Sequence, residues 1–283
     1  MVQGMPRLTV EVYQSLMDEL TAHCAASGET MRHFVSRALS HALELDYSTL
    51  FQVSTSGALV QGIYNKAVTV SDLRTHGNFG LGTFEGLDGE MVVVDGQFYQ
   101  AHGDGRITVP SDSAPVPFAM LTNFRPQHRA RLGKIGSVSE LTAALDTLRR
   151  SDNLFFAVRI DGRFSKVHWR VACKVDSGVH LDQATDHQVE FRKTNVAGTM
   201  VGFWSPPYSR AISFAGWHLH FLTEDRKSGG HVLDCEGESV EVQVHDLDDL
   251  HLALPEMREF LHADLTQDPN AAIEKANRTR DRN

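Results

Sequence analysis

The sequence predicts an α+β protein built mostly of mixed and antiparallel β-sheet, with a small β-α-α module at its N-terminal end. Three observations carry this reading. Short apolar, β-branched runs such as Met91-Val92-Val93-Val94 and Phe155-Phe156-Ala157-Val158 recur from residue 50 onward. Asp-Gly and Gly-Gly dipeptides punctuate them as turn signals. Helical spacing is concentrated in the first 47 residues, where Leu16, Leu20 and Cys24 recur every fourth position.

The totals set the bounds. A chain of 283 residues, 41% hydrophobic and 22% charged, can bury a sizeable core in one or two domains. It holds no apolar run of the roughly 18–20 residues that a membrane helix needs. Residues 1–9 lack a basic stretch followed by an apolar one, so nothing marks export. Cys24, Cys173 and Cys235 are odd in number and far apart, which favours reduced thiols and a cytoplasmic protein. A net charge of −9 argues against a nucleic-acid backbone as main partner, but not against a small anionic substrate at a cationic site.

Taken in order, Arg7-Leu8-Thr9-Val10-Glu11-Val12 alternates like a short strand. A first helix follows and ends at Ser27-Gly28, glycine suiting the left-handed position after a helix. Phe34, Val35, Ala38, Leu39, Ala42 and Leu43 give a second amphipathic helix. Strand, helix, glycine turn and helix over residues 1–47 resemble a ribbon-helix-helix module, which dimerises through its strands and often reads DNA. Arg7, Arg32 and Arg37 are outnumbered here by Glu11, Asp18, Glu19, Glu29, Glu44 and Asp46. An acidic head suits dimerisation better than phosphate contact.

Residues 50–55 read as a strand, 57–64 as a short helix and 70–74 as a helical turn. Residues 76–83 are glycine-rich but lack the spacing of a nucleotide loop. Residues 91–94 and 97–100 form a hairpin through Asp95-Gly96, and 106–109 continues the meander. A proline-punctuated connection spans 110–117, and 118–124 is a strand. Ser137 and Glu140 match a capping box ahead of a helix that buries Val138, Leu141, Leu145 and Leu148. Residues 154–160 and 162–173 read as a second hairpin through Asp161-Gly162, with His168 and Arg170 on one face. A polar loop is expected over 174–190, strands over 199–204, 240–244 and 250–254, and a short helix after 264. The expected domains are 1–47, a β-rich subdomain over 48–180 and a second β subdomain over 181–283.

The chemistry concentrates in Gly216-Trp217-His218-Leu219-His220-Phe221, which turns through Gly229-Gly230 into His231-Val232-Leu233. Alternation puts His218 and His220 on one face of a strand. If Phe221 pairs with Gly230, His231 lies opposite His220, and three imidazoles converge. Three neutral nitrogens with an open fourth position are the ligand set of a catalytic zinc. An H-x-H pair on a strand is also an ordinary polar face, and spacing alone leaves both readings open.

Longer blocks extend the comparison. Residues 50–55, His76-Gly77-Asn78-Phe79-Gly80-Leu81-Gly82-Thr83-Phe84, Leu87-Asp88-Gly89-Glu90-Met91, Gly198-Thr199-Met200-Val201-Gly202-Phe203-Trp204 and 216–234 together resemble α-acetolactate decarboxylase, over about residues 50–267. The resemblance implies a dimer of two-domain subunits. It implies a zinc lyase that converts (S)-2-acetolactate to (R)-acetoin and carbon dioxide in bacterial butanediol metabolism. Zn2+ would chelate the keto and hydroxyl oxygens of the substrate and stabilise the enediolate. The family's zinc ligands match His218, His220 and His231. Its active-site glutamate and arginine match Glu90 and Arg170, and a threonine close to the substrate matches Thr83. On this reading Glu90 transfers the proton and Arg170 holds a carboxylate or oxyanion. Without the resemblance, Glu90 reads as an exposed residue after a turn and Arg170 as a solvent-facing strand residue. A second glutamate of the family, near the C-terminus, has no match: an ungapped count reaches Asn277, with Glu274 one helical turn away. The alternative function is a metal-containing ligand sensor whose ribbon-like head binds DNA. A homodimer acting on a small molecule, with no membrane or nucleic-acid partner, is the expected assembly.

Overall fold

The computed structural model describes residues 8–43, 48–266, 268–269 and 273. The chain divides into two compact units, Met1–Asp46 and Tyr47–Asn283.

The first unit holds α1 (Gln14–Ser27) and α2 (Met31–Ala42). Gly28 takes the expected left-handed conformation at φ 73°, and its N–H closes α1 on the Cys24 carbonyl. Glu29 ties the turn to α2 through Arg37, at 3.1 and 3.0 Å. α1 buries no residue, and Leu8, Val10, Val12 and Tyr13 are exposed. Among the described residues, 8–13 join no strand, so the part of the expected ribbon that is described, residues 8–12, is not paired. Arg7, Glu44 and Asp46 lie outside the described residues.

The second unit opens with β1 (Thr49–Val53), α3 (Ser56–Val60), β2 (Val68–Thr69) and α4 (Val70–Arg74). Thr55 caps α3 by accepting from the Ala58 N–H. Thr69 and Asp72 form a reciprocal capping box at α4. β3 (Phe79–Thr83) occupies the glycine-rich stretch, followed by β4 (Glu90–Val94), β5 (Gln97–Ala101) and β6 (Ile107–Thr108). Asp95 and Gly96 turn β4 into β5 with φ of 53° and 78°, the mirror-image turn a two-residue hairpin needs. The proline-rich connection contains β7 (Pro115–Val116), and β8 (Phe118–Thr122) follows. β9 (His128–Leu132) was not expected from the sequence. α5 (Val138–Asp146) is capped by Ser137, while Glu140 reaches the Gly136 N–H, one residue further out than a capping box requires.

The expected hairpin at Asp161-Gly162 does not form. β10 (Phe155–Val171) runs straight through it, opposite Thr199 and Glu241. The Asp161 carboxylate accepts from Thr199 Oγ1 and Arg159 Nε, both at 2.7 Å. Gly162 has no positive φ, and a Cβ there would lie 2.8 Å from Val240 Cγ1. Glycine is needed for close packing there, not for a reversal. α6 (Leu181–Ala184) lies in the expected loop. β11 (Val189–Ser205), β12 (Gly216–Thr223) and β13 (Gly229–Leu247) follow, so the expected strands at 199–204 and 240–244 are parts of much longer ones. β14 (Asp249–Ala253) and α7 (Arg258–Leu261) complete the described elements. Residues 264–266 are not helical, and most of the helix expected after 264, with Glu274 and Asn277, falls outside the described residues.

The fold is α+β with mainly antiparallel sheet. One sheet has the order β14-β1-β8-β3-β4-β5-β6, antiparallel except for the β1–β14 pair. The second has the order β10-β11-β12-β13-β9, with β10 also paired to β13, and β2 and β7 form a separate antiparallel pair. Sheet membership does not follow a division at 180: β10 before it and β11 to β13 after it share one sheet, and β14 joins the other. Leu81, Val92, Val94, Phe118 and Met120 of the first sheet pack against Ala157, Val201, Phe203 and Leu222 of the second. Met91, Val93 and Leu121 on the opposite face of the first sheet pack with Val70 and Leu73 of α4. The face of β4 that carries Val92 and Val94 therefore points at the second sheet, and by alternation it carries Glu90 as well.

Candidate active site

The expected hairpin register is observed. Phe221 pairs with Gly230, and His220 pairs with His231. Gly230 (φ 152°) is required, because a Cβ there would lie 2.4 Å from the Arg170 carbonyl oxygen. His218 and His220 stand opposite Phe203 and Val201, so both project into the layer between the sheets.

His218 Nε2 lies 3.0 Å from His231 Nδ1 and 3.2 Å from His220 Nε2. One ligand atom from each histidine falls within 4.8 Å of the other two. His220 Nδ1 donates to the Met91 carbonyl at 2.8 Å, which leaves Nε2 as the lone-pair nitrogen. Burial pushes His218 and His231 well below the ordinary imidazole range, and the positive charge of Arg170 adds to the shift. Burial also lowers His220, partly offset by the Glu90 carboxylate and the Met91 carbonyl. All three imidazoles are therefore neutral near pH 7. Three uncharged nitrogens this close, one already an acceptor, cannot satisfy each other through hydrogens alone. His218 Nδ1 is also buried with no hydrogen-bond partner. The donor set fits a divalent cation that favours imidazole.

Glu90 and Arg170 close the site from opposite sheets. Arg170 Nη1 donates to Glu90 Oε1 at 3.0 Å, and the Ala172 backbone N–H donates to the same oxygen at 3.2 Å. Glu90 Oε2 lies 3.6 Å from His220 Nε2. Neither residue is the exposed one that its local sequence suggests: Glu90 is 6% and Arg170 8% exposed. Burial pulls the guanidinium below its usual range, while the charges of Glu90 and Glu190 counter it. Arg170 Nε is buried and has no hydrogen-bond partner, an open donor on a residue that stands opposite His231. Thr83 pairs with Glu90 across β3 and β4, but its hydroxyl donates to the Gly89 carbonyl at 2.8 Å.

The sequence model of alpha-acetolactate decarboxylase matches residues 50–267. The chain belongs to the alpha-acetolactate decarboxylase family. The family's Methanosarcina mazei member is 42% identical over 227 residues, covering 80% of this chain and 79% of its own. The Lactococcus lactis strain IL1403 member is 37% identical, covering 78% of this chain and 94% of its own. The crystal structure of the Bacillus subtilis strain 168 member superposes with a TM-score of 0.79 at 35% identity, covering 82% of this chain and all of that one. The relatives are carboxy-lyases by name, and this chain is an enzyme of that kind. Thr83, Glu90, Arg170, His218, His220 and His231 all fall inside the family region, whereas the two-helix head lies outside it.

Two contributors escaped the sequence reading. Met91 and Ala172 act through a carbonyl and an N–H, which no side-chain pattern reports. His168 was visible only as a polar strand residue and Glu190 fell in the expected loop, yet the two form a 2.8 Å contact on neighbouring strands beside Arg170.

Proposed function

We propose that this enzyme decarboxylates (S)-2-acetolactate to (R)-acetoin and carbon dioxide, with a zinc ion held by His218, His220 and His231. The observation that carries the reading is the meeting of three neutral imidazoles with a buried carboxylate–guanidinium pair, in a chain of this family. The substrate is a β-keto acid, so the electron pair left by carbon dioxide flows into its own ketone. A zinc ion bound there supplies a Lewis acid for the keto and hydroxyl oxygens, where negative charge develops. Arg170 offers its free Nε–H to the carboxylate or to the developing oxyanion. Glu90 is held by Arg170 and Ala172 at one oxygen, which leaves Oε2 on the histidine side to carry the proton to one face of the enediolate carbon. Thr83 lines the same side and fixes the backbone ahead of Glu90.

Among the described residues no helix is long and apolar enough to cross a membrane. The reading places the enzyme in the cytoplasm as a homodimer, acting on a small molecule and not on nucleic acid. The head, with Leu8, Val10 and Val12 exposed in a segment that joins no strand among the described residues, serves the dimer and not the chemistry. The test is metal analysis together with chiral acetoin detection on one purified preparation fed 2-acetolactate. Absence of acetoin from a folded, zinc-loaded protein would overturn the proposal, and a gel shift at low salt would then favour the sensor alternative.

A further inference from the structure

The site has a back wall that the chemistry above does not use. Arg170 on β10 stands directly opposite Glu190 of β11 on one side and His231 of β13 on the other. His231 in turn pairs with His220. Side chains directly opposite in antiparallel strands share a face. Glu190, Arg170, His231 and His220 therefore form one transverse row, from a carboxylate through a guanidinium to the histidine cluster. Glu190 is fixed within it. Its Oε2 lies 2.8 Å from His168 Nε2, its Oε1 accepts from Gln188 Nε2 at 3.4 Å, and Arg192 Nη2 is 3.7 Å from Oε2. His168 is itself only 4% exposed and anchors this arrangement.

Charge gives the row a purpose. A buried guanidinium beside a cation-binding histidine cluster is driven away from it, and a single carboxylate in front would draw Arg170 toward Glu90 alone. A second carboxylate behind balances that pull. The balance holds Arg170 with Nη1 on Glu90 and with the Nε edge still open.

We propose that Glu190, pinned by His168, is a positioning residue for Arg170 and so sets affinity for the carboxylate of the substrate. This rests on the proposed role of Arg170 as the carboxylate donor. Removing the charge of Glu190 leaves the guanidinium free to swing onto Glu90 with both of its edges.

The experiment is direct calorimetric binding to the zinc-loaded enzyme, with two non-reacting probes. One is 2-hydroxy-2-methylpropanoate, which carries the carboxylate, and the other is acetoin, which lacks it. Glu190→Gln is expected to weaken the carboxylate probe by about tenfold, a usual coupling between neighbouring polar groups. Acetoin binding and zinc content should stay unchanged, and Glu190→Asp should recover part of the loss. In an Arg170→Met background the same substitution should have no further effect on the carboxylate probe. Equal weakening of both probes would assign Glu190 a merely structural role and overturn the proposal. So would an undiminished effect in the Arg170→Met background. If Arg170→Met itself left carboxylate binding intact, the role given to Arg170 would fall and this inference with it. If Arg170→Met weakened the carboxylate probe while Glu190→Gln did not, only this inference would fall. Should Glu190→Gln not fold, Glu190→Asp, which draws the charge back from Arg170 by one methylene, should by itself weaken the carboxylate probe and not acetoin, to a smaller extent.

Discussion

The Glu90–Arg170 pair links the two sheets, and its energetics can be worked out from its surroundings. The side chains are 7% and 10% exposed, so solvent screens little of their interaction. Arg170→Met preserves much of the aliphatic packing but strands the Glu90 carboxylate with one backbone donor, Ala172 N–H. Breaking a buried pair from one side costs about 3–5 kcal/mol, because the remaining charge is uncompensated. At about 2–4 °C per kcal/mol for a domain of this size, the midpoint should fall by roughly 6–20 °C. Glu90→Gln removes the opposite charge but keeps an oxygen that can accept from Arg170 and Ala172. The double variant Arg170→Met/Glu90→Gln has no stranded charge, so its loss should fall short of the sum of the single losses by about 0.5–3 kcal/mol. Urea unfolding of metal-free protein measures this without a contribution from bound ion. Trp169, Trp204 and Trp217 all report on the second unit. Additive losses, or an Arg170→Met variant within about 0.5 kcal/mol of wild type as for a surface change, would refute the reasoning.

Four further outcomes follow from the same geometry. His220→Ala should lose both bound zinc and acetoin formation, since it removes one of the three proposed ligands and the contact to Met91, and full occupancy with normal turnover would refute the assignment. Glu90→Gln should keep zinc while turnover drops by roughly 10²–10⁴-fold, the usual contribution of a positioned acid or base; carbon dioxide release with loss of enantiomeric purity would place Glu90 at reprotonation. His218, His220 and His231 all titrate below their unfolded value, so the unfolded chain binds more protons and metal-free stability is lost as pH falls from about 6.5 through the folded values; His231→Leu should flatten that slope in urea melts at pH 5 to 8. Burial pushes the Cys235 thiol up to about 12, so at pH 8 it should react with a disulfide reagent only after unfolding, while the partly exposed Cys24 reacts in the native protein and Cys173, whose thiol burial also raises, reacts there more slowly.

The histidine hairpin was legible because two local rules agree. Alternation fixes the face of His218 and His220, and Gly229-Gly230 fixes where the chain returns, so the register follows. The same kind of rule failed at Asp161-Gly162. Its dipeptide is the one that turns β4 into β5 at Asp95-Gly96, yet Asp161 is held in line by Thr199 and Arg159. Local turn preference is worth little against strand pairing on both sides. β9 was invisible because its outward positions are Arg129 and Arg131 and its inward ones are His128, Ala130 and Leu132, with no apolar run.

Glu90 shows where such reading stops. The turn signalled by Asp88-Gly89 does form, with Leu87 at φ 56° and Gly89 at φ 93°. It is folded inward, not outward: a Cβ on Gly89 would lie 2.1 Å from the Ala101 carbonyl oxygen, and Thr83 holds the Gly89 carbonyl. Turn chemistry states that the chain changes direction, but not which side of the turn meets solvent. For Glu90 that side is decided by residues 80 and 82 positions away, the guanidinium of Arg170 and the N–H of Ala172, without which a carboxylate could not be buried there. A site assembled from two sheets is therefore written into single strands only as alternation. Its ion pair exists once the sheets are stacked, which is why the histidines could be paired from their own hairpin and the carboxylate could not be paired at all.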